Sequence, residues 1–257
     1  MLGELYRPSG LALEQARAVL EAESPYAVNV AKGCTGGCTY CYGPSAFYKK
    51  DWARVEFPKI PPAQLVKKQL HRGLKPEGVF ISFATDPFIK KNVMNTYHLI
   101  RLLDDRNIRF AVSTKYVMPA NFTAKNKQNF RHGKTIVSID RRFRKRHERH
   151  SATIDRRIWD LEQDKAWGIY VWDSMEPYPP PKIFKQDIIK VLEAIKFVDF
   201  IIFGKWNYDR RANTEEARID YADNVEVLRD FGHSNNIRLH IKSDTLHFIT
   251  GSKGGVV

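Results

Sequence analysis

The chain has no cysteine beyond Cys34, Cys38 and Cys41, and no secretory signal precedes them. An odd count without a signal peptide argues against a disulfide framework, and reduced thiols fit the cytoplasm. No stretch approaches ~20 consecutive apolar residues, the length that crosses a membrane as a helix. The longest apolar run, Phe197 to Phe203, is broken by Asp199 and reads as a buried strand. The common phosphate-binding turns are missing too. No G-x-G-x-x-G follows a predicted strand, and Gly133-Lys134-Thr135 lacks the upstream glycine of a phosphate loop. His147-Glu148-Arg149-His150 is not the metalloprotease motif H-E-x-x-H, because its histidines are one residue too close. Acidic residues are in the minority, 29 against 42 Lys and Arg, for a net charge of +13. Such a balance favours an anionic partner (nucleic acid, an acidic peptide or a phosphorylated substrate) and says nothing about fold.

What is present is an ordinary globular composition, 43% hydrophobic over 257 residues, enough for one large α/β domain. No internal repeat, low-complexity segment or interior linker divides it, so residues 1–257 read as a single domain with a barrel core at about 25–240. The residues from Gly251 to Gly255 are flexible by composition. Hydrophobic spacing predicts helices at Leu11–Glu21, Pro62–Arg72, Val93–Arg106, Ala120–His132, Thr153–Lys165, Ile183–Ile195 and Thr214–Phe231. Strands are predicted at Tyr26–Ala31, Gly78–Phe83, Ile108–Ser113, Lys134–Ile139, Gly168–Trp172, Val198–Phe203 and Ile237–Ile241. This alternation implies right-handed βαβ units and a parallel sheet, whose functional site forms at the C-terminal strand ends.

The three cysteines stand in Lys32-Gly33-Cys34-Thr35-Gly36-Gly37-Cys38-Thr39-Tyr40-Cys41-Tyr42, spaced C-x3-C-x2-C, directly after the first predicted strand. Three thiolates can hold three irons of a [4Fe–4S] cube and leave the fourth iron open to a ligand; four would mainly serve electron transfer. A structural zinc site with a histidine as fourth ligand is the alternative. Zinc sites usually place two ligand pairs on separate turns, and the first histidine downstream is His71. Gly33, Gly36 and Gly37 let backbone approach a bound group closely.

The triplet, with its aromatic Tyr40, resembles the signature of the radical S-adenosylmethionine (radical SAM) superfamily. The resemblance implies a [4Fe–4S] cluster on Cys34, Cys38 and Cys41. It also implies SAM chelated at the open iron, and SAM cleavage to methionine and a 5′-deoxyadenosyl radical that abstracts hydrogen. The strand pattern is similar to the partial (β/α)6 TIM-type barrel of these enzymes. Tyr40 is then expected near the adenine. After the second strand, Ser82-Phe83-Ala84-Thr85-Asp86-Pro87 stands where many members carry Gly-Gly-Glu. It resembles the branch that includes spore photoproduct lyase and DNA repair photolyase-like proteins, so Ser82, Thr85 and Asp86 are candidate acceptors for the SAM ammonium. A plain Asp-Pro turn is the competing reading. Lys115, after the third strand, is expected at the SAM carboxylate, with Arg157 as a further candidate. Ser138 and Asp140 follow the fourth strand as possible hydrogen-bond partners of SAM. Ser174-Met175-Glu176-Pro177 resembles the stretch that holds adenine, and Gly204 lets backbone meet the nucleoside.

The segment Arg141 to His150 holds six Lys/Arg and two His in ten residues. Placed on the rim of the mouth, Arg142, Arg144 and Arg146, with Lys205 and Asn207, would hold an anionic substrate and steer it in. The lyase differs in having a further cysteine as hydrogen donor near the second strand, where this chain has Phe83 and Ala84, and a DNA-wedging element for which this sequence is too short. Tyr42, Tyr170 or Tyr208 is the candidate hydrogen relay instead. Three functions follow. Radical modification of nucleic acid is favoured by the charge. Radical maturation of an acidic-leader peptide, including backbone-excising splicing, would use a small peptide-recognition protein. A non-catalytic zinc-containing nucleic-acid-binding module is the third. Either enzyme needs an external electron donor such as flavodoxin or ferredoxin.

Overall fold

The computed structural model describes residues 2–119 and 124–251. Its frame is one eight-stranded sheet in sequence order: β1 (Leu5–Tyr6), β2 (Tyr26–Val28), β3 (Val79–Ile81), β4 (Phe110–Thr114), β5 (Phe130–Lys134), β6 (Tyr170–Tyr178), β7 (Phe200–Lys205) and β8 (Arg238–Ile241). β2 through β8 pair in parallel, and only β1 runs antiparallel, on β2. The sheet stays open, with β1 and β8 at its edges. It is the partial barrel expected from the sequence, with an antiparallel edge strand added.

The helices are α1 (Gly10–Leu20), α2 (Gly43–Ala46), α3 (Pro62–His71), α4 (Val93–Asp105), α5 (Arg141–His147), α6 (Ile154–Ala166), α7 (Ile188–Ala194), α8 (Glu215–Asn235) and α9 (Ser243–Thr250). Strand alternation sorts the core into two layers. Inward side chains Ala27, Phe80, Ala111, Trp172, Phe200 and Ile202 pack on Ala16, Val19 and Leu20 of α1, which fills the interior. Gly133 makes room there, since a Cβ would lie 2.2 Å from the Trp172 ring. Outward residues such as Val171, Met175, Ile201 and Phe203 meet Leu161, Leu192 and Leu228 of the covering helices.

The widest departure from the sequence reading lies between β4 and α6; α5 and α9 also form where the spacing predicts no helix, and α7 starts at Ile188 rather than Ile183. The fourth parallel strand is Phe130–Lys134, not Lys134–Ile139, and the described part of the predicted helix Ala120–His132, from Ala124 on, is not α-helical. Residues 120–123 lie outside the described residues; from Ala124 on there is a loop, a short 3-10 turn at Lys127–Asn129, then strand. The polar residues that disguise this strand are matched across its outer face. His132 Nδ1 pairs with Asp164, and Lys134 Nζ lies 2.9 Å from Asp160, one helical turn before Asp164 on α6. Buried ions read as surface residues until the partners that make burial tolerable are known. The flexible-tail expectation falls mostly on residues 252–257, outside the described residues.

Candidate functional site

The cysteine loop leaves the C-terminal end of β2, on the face where β3 to β7 also end. Backbone contacts seat it: Gly33 N–H donates to Ala84 O (3.0 Å) and Cys34 N–H to Trp52 O (2.8 Å). Gly33 has φ 100°, and a Cβ there would lie 2.6 Å from Arg54 O, so only glycine fits. Thr85 Oγ1 donates to Gly33 O (2.6 Å), and Asn29 Oδ1 accepts from Phe83 and Ala84 N–H (2.9 and 3.0 Å). The turn after β3 is thereby stitched to the cysteine loop. Ser82 sits in that turn at φ 70°, its hydroxyl accepting from Val30 N–H (3.2 Å).

Cys34, Cys38 and Cys41 are all free and partly exposed. Gly36 lies between two of them: a Cβ would fall 3.3 Å from Cys34 Sγ and 3.8 Å from Cys38 Sγ. Gly36 N–H donates to Cys34 Sγ (3.3 Å), and the backbone of Asp86 hydrogen-bonds to the same sulfur. Burial, with repulsion from Asp86 and Cys41, raises the Cys34 thiol; burial pushes Cys38 up to about 12, against the pull of Lys115. The raised Cys34 and Cys38 thiols hold their protons, which a metal would have to displace. Among the described residues no three His, Cys, Asp or Glu side chains converge closely enough to share one ion, as mononuclear zinc requires. Three unpaired, adjoining thiols with a glycine gap between two of them suit a larger cluster, and the donor set fits [4Fe–4S].

Asp86 is largely spoken for by the protein. Its Oδ1 accepts from Thr114 Oγ1 (2.6 Å) and Phe88 N–H (2.9 Å), its Oδ2 from Lys115 N–H (2.9 Å). A carboxylate has about four acceptor positions, so Oδ2 retains room for another donor. Lys115 Nζ stands 5.3 Å over the Tyr40 ring. Burial works to lower its pKa, but Cys38, Glu148 and Asp86 outweigh burial and the repulsion of Arg157 and raise it. Lys115 is a cation held beside the cysteine loop, with no carboxylate bonded to its Nζ among the described residues.

The other expected residues divide. Tyr40 is buried and turns its hydroxyl to Glu148, its ring against Trp206 (centroids 5.0 Å). Arg157 is buried below it, bonded to Glu148, Ser151 Oγ (2.6 Å) and Thr135 O (2.7 Å). In the structure Arg157 serves this network. Ser138 accepts from Asp140 N–H (3.1 Å), and Asp140 caps α5 through Arg142 N–H (2.7 Å) while pairing with the Arg142 guanidinium. Arg144 spends its guanidinium on Ser151 and Ala152 carbonyls, whereas Arg146 is exposed. Ser174 is buried on β6, facing inward with Trp172. Gly204 lies under Glu176. Lys205 Nζ donates to Asn207 Oδ1 (2.7 Å), and Asn207 donates to Asp244 (3.2 Å). Tyr42, partly exposed, donates to Phe83 O, and Tyr208 is exposed at φ 64°.

Sequence reasoning missed the strap of residues 147–152. Thr39, between the second and third cysteines, donates its N–H to His147 O (3.0 Å) and shares a 2.7 Å hydrogen bond with His147 Nδ1. Ala152 N–H donates to Lys115 O (2.8 Å). His150 packs on Gly37, where a Cβ would lie 3.1 Å from its ring. Tyr116, whose phenol would lie 3.6 Å from a Cβ at Gly36, was missed as well. No local signal marks these positions, because each contact spans a large sequence separation.

No family model matches the sequence, and no curated protein matches it. Solved structures do. A variant of spore photoproduct lyase with bound AdoMet and dinucleoside spore photoproduct superposes with a TM-score of 0.62, 12% identity, 84% of this chain and 75% of that chain. Spore photoproduct lyase complexed with dinucleoside spore photoproduct gives 0.59 at 14% identity and the same coverage. Streptococcus suis SuiB bound to S-adenosylmethionine gives 0.56 at 14% identity, 84% of this chain but only 46% of SuiB. The chain therefore has the partial-barrel fold of the radical SAM enzymes, in the form that spore photoproduct lyase displays.

Proposed function

We propose that this protein is a radical SAM enzyme acting on an anionic macromolecule, with nucleic acid the favoured substrate. One observation carries the reading: three free thiols on the loop after the first parallel strand, with the Lys115 cation, bonded to no carboxylate among the described residues, beside them. Cys34, Cys38 and Cys41 would each hold one iron, and Lys115 would hold the SAM carboxylate. When bound, such a cluster supplies an open iron for SAM and the electron that cleaves it. The free position on Asp86 Oδ2 suits the SAM ammonium. Ser82 and Thr85 set the turn that presents Asp86, since both hydroxyls already bond to the cysteine-loop backbone. Glu148 neutralises Arg157 and anchors Tyr40, holding the loop from behind. Exposed Lys145, Arg146 and Arg149 would meet phosphates as the substrate approaches.

The charge of +13 supports a polyanion, and the likeness to an enzyme solved with a dinucleoside supports nucleic acid among polyanions. An external one-electron donor such as flavodoxin or ferredoxin, and a reducing cytoplasm, follow from the proposed cofactor. Among the described residues no helix is long and apolar enough to cross a membrane. Anaerobic reconstitution with iron and sulfide tests the reading. It should give a brown protein with about four irons and equal labile sulfide per chain, which forms 5′-deoxyadenosine from SAM under reduction. A colourless protein holding zinc would establish the non-catalytic module instead. Titration with single-stranded DNA, RNA and an acidic leader peptide then chooses among substrates.

A further inference from the structure

Glu176 is short of donors, as is the buried Asp173 on the same strand, which among the described residues accepts from Ile136 N–H alone. Asp86, Asp140 and Glu148 are each engaged by two or more donors. Among the described residues the Glu176 carboxylate has one polar contact, 3.8 Å to Lys242 Nζ, and Lys242 itself donates to Leu11 O (2.8 Å).

Its position inside the barrel follows from strand alternation. Phe200 and Ile202 of β7 face the interior, so Gly204 faces inward as well. A Cβ on Gly204 would fall 2.7 Å from Glu176 Cγ and 3.1 Å from Oε1. The missing side chain of Gly204 is thus the space the Glu176 side chain occupies. Burial raises the Glu176 pKa, with Asp244 and Glu14 adding repulsion against the pull of Lys242. A carboxylate largely removed from water and short of donors is costly until something hydrogen-bonds to it.

The surroundings are aromatic. Phe83, stacked on Phe80 at 4.3 Å, accepts from the Tyr42 hydroxyl through its carbonyl. Tyr42 and Tyr208 are exposed where β2 and β7 end. Tyr42 lies within electrostatic reach of both Glu176 and Tyr208, and exposed rings near a carboxylate short of donors match a flat heterocycle that stacks and presents an N–H edge.

We propose that Glu176 is a base-recognition residue, accepting a hydrogen bond from an amino or imino N–H of a substrate nucleobase extruded into the barrel mouth. This deepens the nucleic-acid reading above and rests on it. Phosphate contacts on α5 would supply affinity for any strand, and Glu176 would distinguish strands that carry bases.

Fluorescence anisotropy on the reconstituted holoprotein with SAM tests it, using a single-stranded oligonucleotide and an abasic strand of equal length and charge. The parent should bind the base-bearing strand about tenfold or more tightly. Glu176→Gln and Glu176→Ala should each reduce that ratio about tenfold, with abasic affinity and its salt dependence at parental values. Retained abasic affinity shows that the variants are folded. A parental ratio in both variants, or a parent that binds both strands equally, overturns the role of Glu176 while leaving the nucleic-acid reading intact. A parent that binds neither strand at low salt overturns both.

Discussion

On the β2–β5 side of the mouth, backbone groups do most of the holding. The cysteine loop is bonded to Trp52, Ala84 and His147, and the buried Tyr40–Glu148–Arg157 chain closes it from behind. On the β6–β8 side, side chains hold one another: Lys205 with Asn207, Asn207 with Asp244, Glu176 loosely with Lys242. The first side is built for fixed geometry, as a cofactor loop needs. The second leaves polar groups short of partners, as a surface that must accept a ligand does. The two sides should therefore fail differently when altered.

The largest break is expected at the cysteines. Ala at Cys34, Cys38 or Cys41 should abolish four-iron reconstitution and SAM cleavage, since the chain has no spare cysteine. Oligonucleotide binding to the β6–β8 side should persist. Iron and sulfide assays beside anisotropy read both halves, and a single variant with full iron and activity would refute the ligand assignment.

Next comes the buried pair behind the loop. Glu148 and Arg157 have side chains only 2% and 1% exposed. Glu148→Ala strands a buried guanidinium and should cost about 3–5 kcal/mol of unfolding free energy, read as a lower urea midpoint. Tyr40→Phe removes one donor to the same carboxylate and should cost about 1–3 kcal/mol. Additive losses in the double variant would show that the chain does not act as a unit.

Lys115→Ala should leave the cluster assembled and weaken SAM binding by on the order of 1.5–3 kcal/mol, the value of a charge-assisted hydrogen bond. Calorimetry on reconstituted protein decides it, and unchanged affinity removes Lys115 from the site.

The α5 residues sharpen the substrate side. Arg142 is already paired with Asp140, and Arg144 with carbonyls, so neutralising Lys145, Arg146 and Arg149 should matter more. That triple variant should flatten the slope of log affinity against log salt by about 2 units for a single strand. An unchanged slope would make the run a solvated surface.

The smallest effect lies away from the mouth. Burial, with repulsion from Lys134, holds the His132 pKa below 6.5 against the pull of Asp164. The unfolded chain then binds the proton more readily, so stability falls as pH drops through and below 6.5. Urea midpoints at pH 7.5 and 5.5 should show the loss, and His132→Gln should reduce it.

Much of this was legible in advance because it is local. The cysteine spacing, its place after a strand and the βα alternation are contiguous patterns, and they located β2, β3, β6, β7 and the loop. The slip at β5 has a physical cause. The spacing ends a helix at the polar His132 and starts the strand only at Lys134, so the predicted strand falls mostly on Thr135–Ile139, the loop beyond β5. The basic run misled in a similar way. Arg141, Arg142, Lys145, Arg146 and Arg149 are exposed, yet Phe143 and His147 are buried and Arg144 is bonded to the protein's own carbonyls.

By itself the sequence determined the cysteine triplet, the excess of positive charge and the βα alternation outside the stretch between β4 and α6, since each depends on neighbours along the chain. Only the tertiary structure decided which charges are buried and which stay free to bind. Tyr40 meets Glu148 across 108 residues, and Gly204 clears the space for Glu176 from the neighbouring strand. A buried charge is tolerated or available according to the donors around it, and those donors are assembled by the fold.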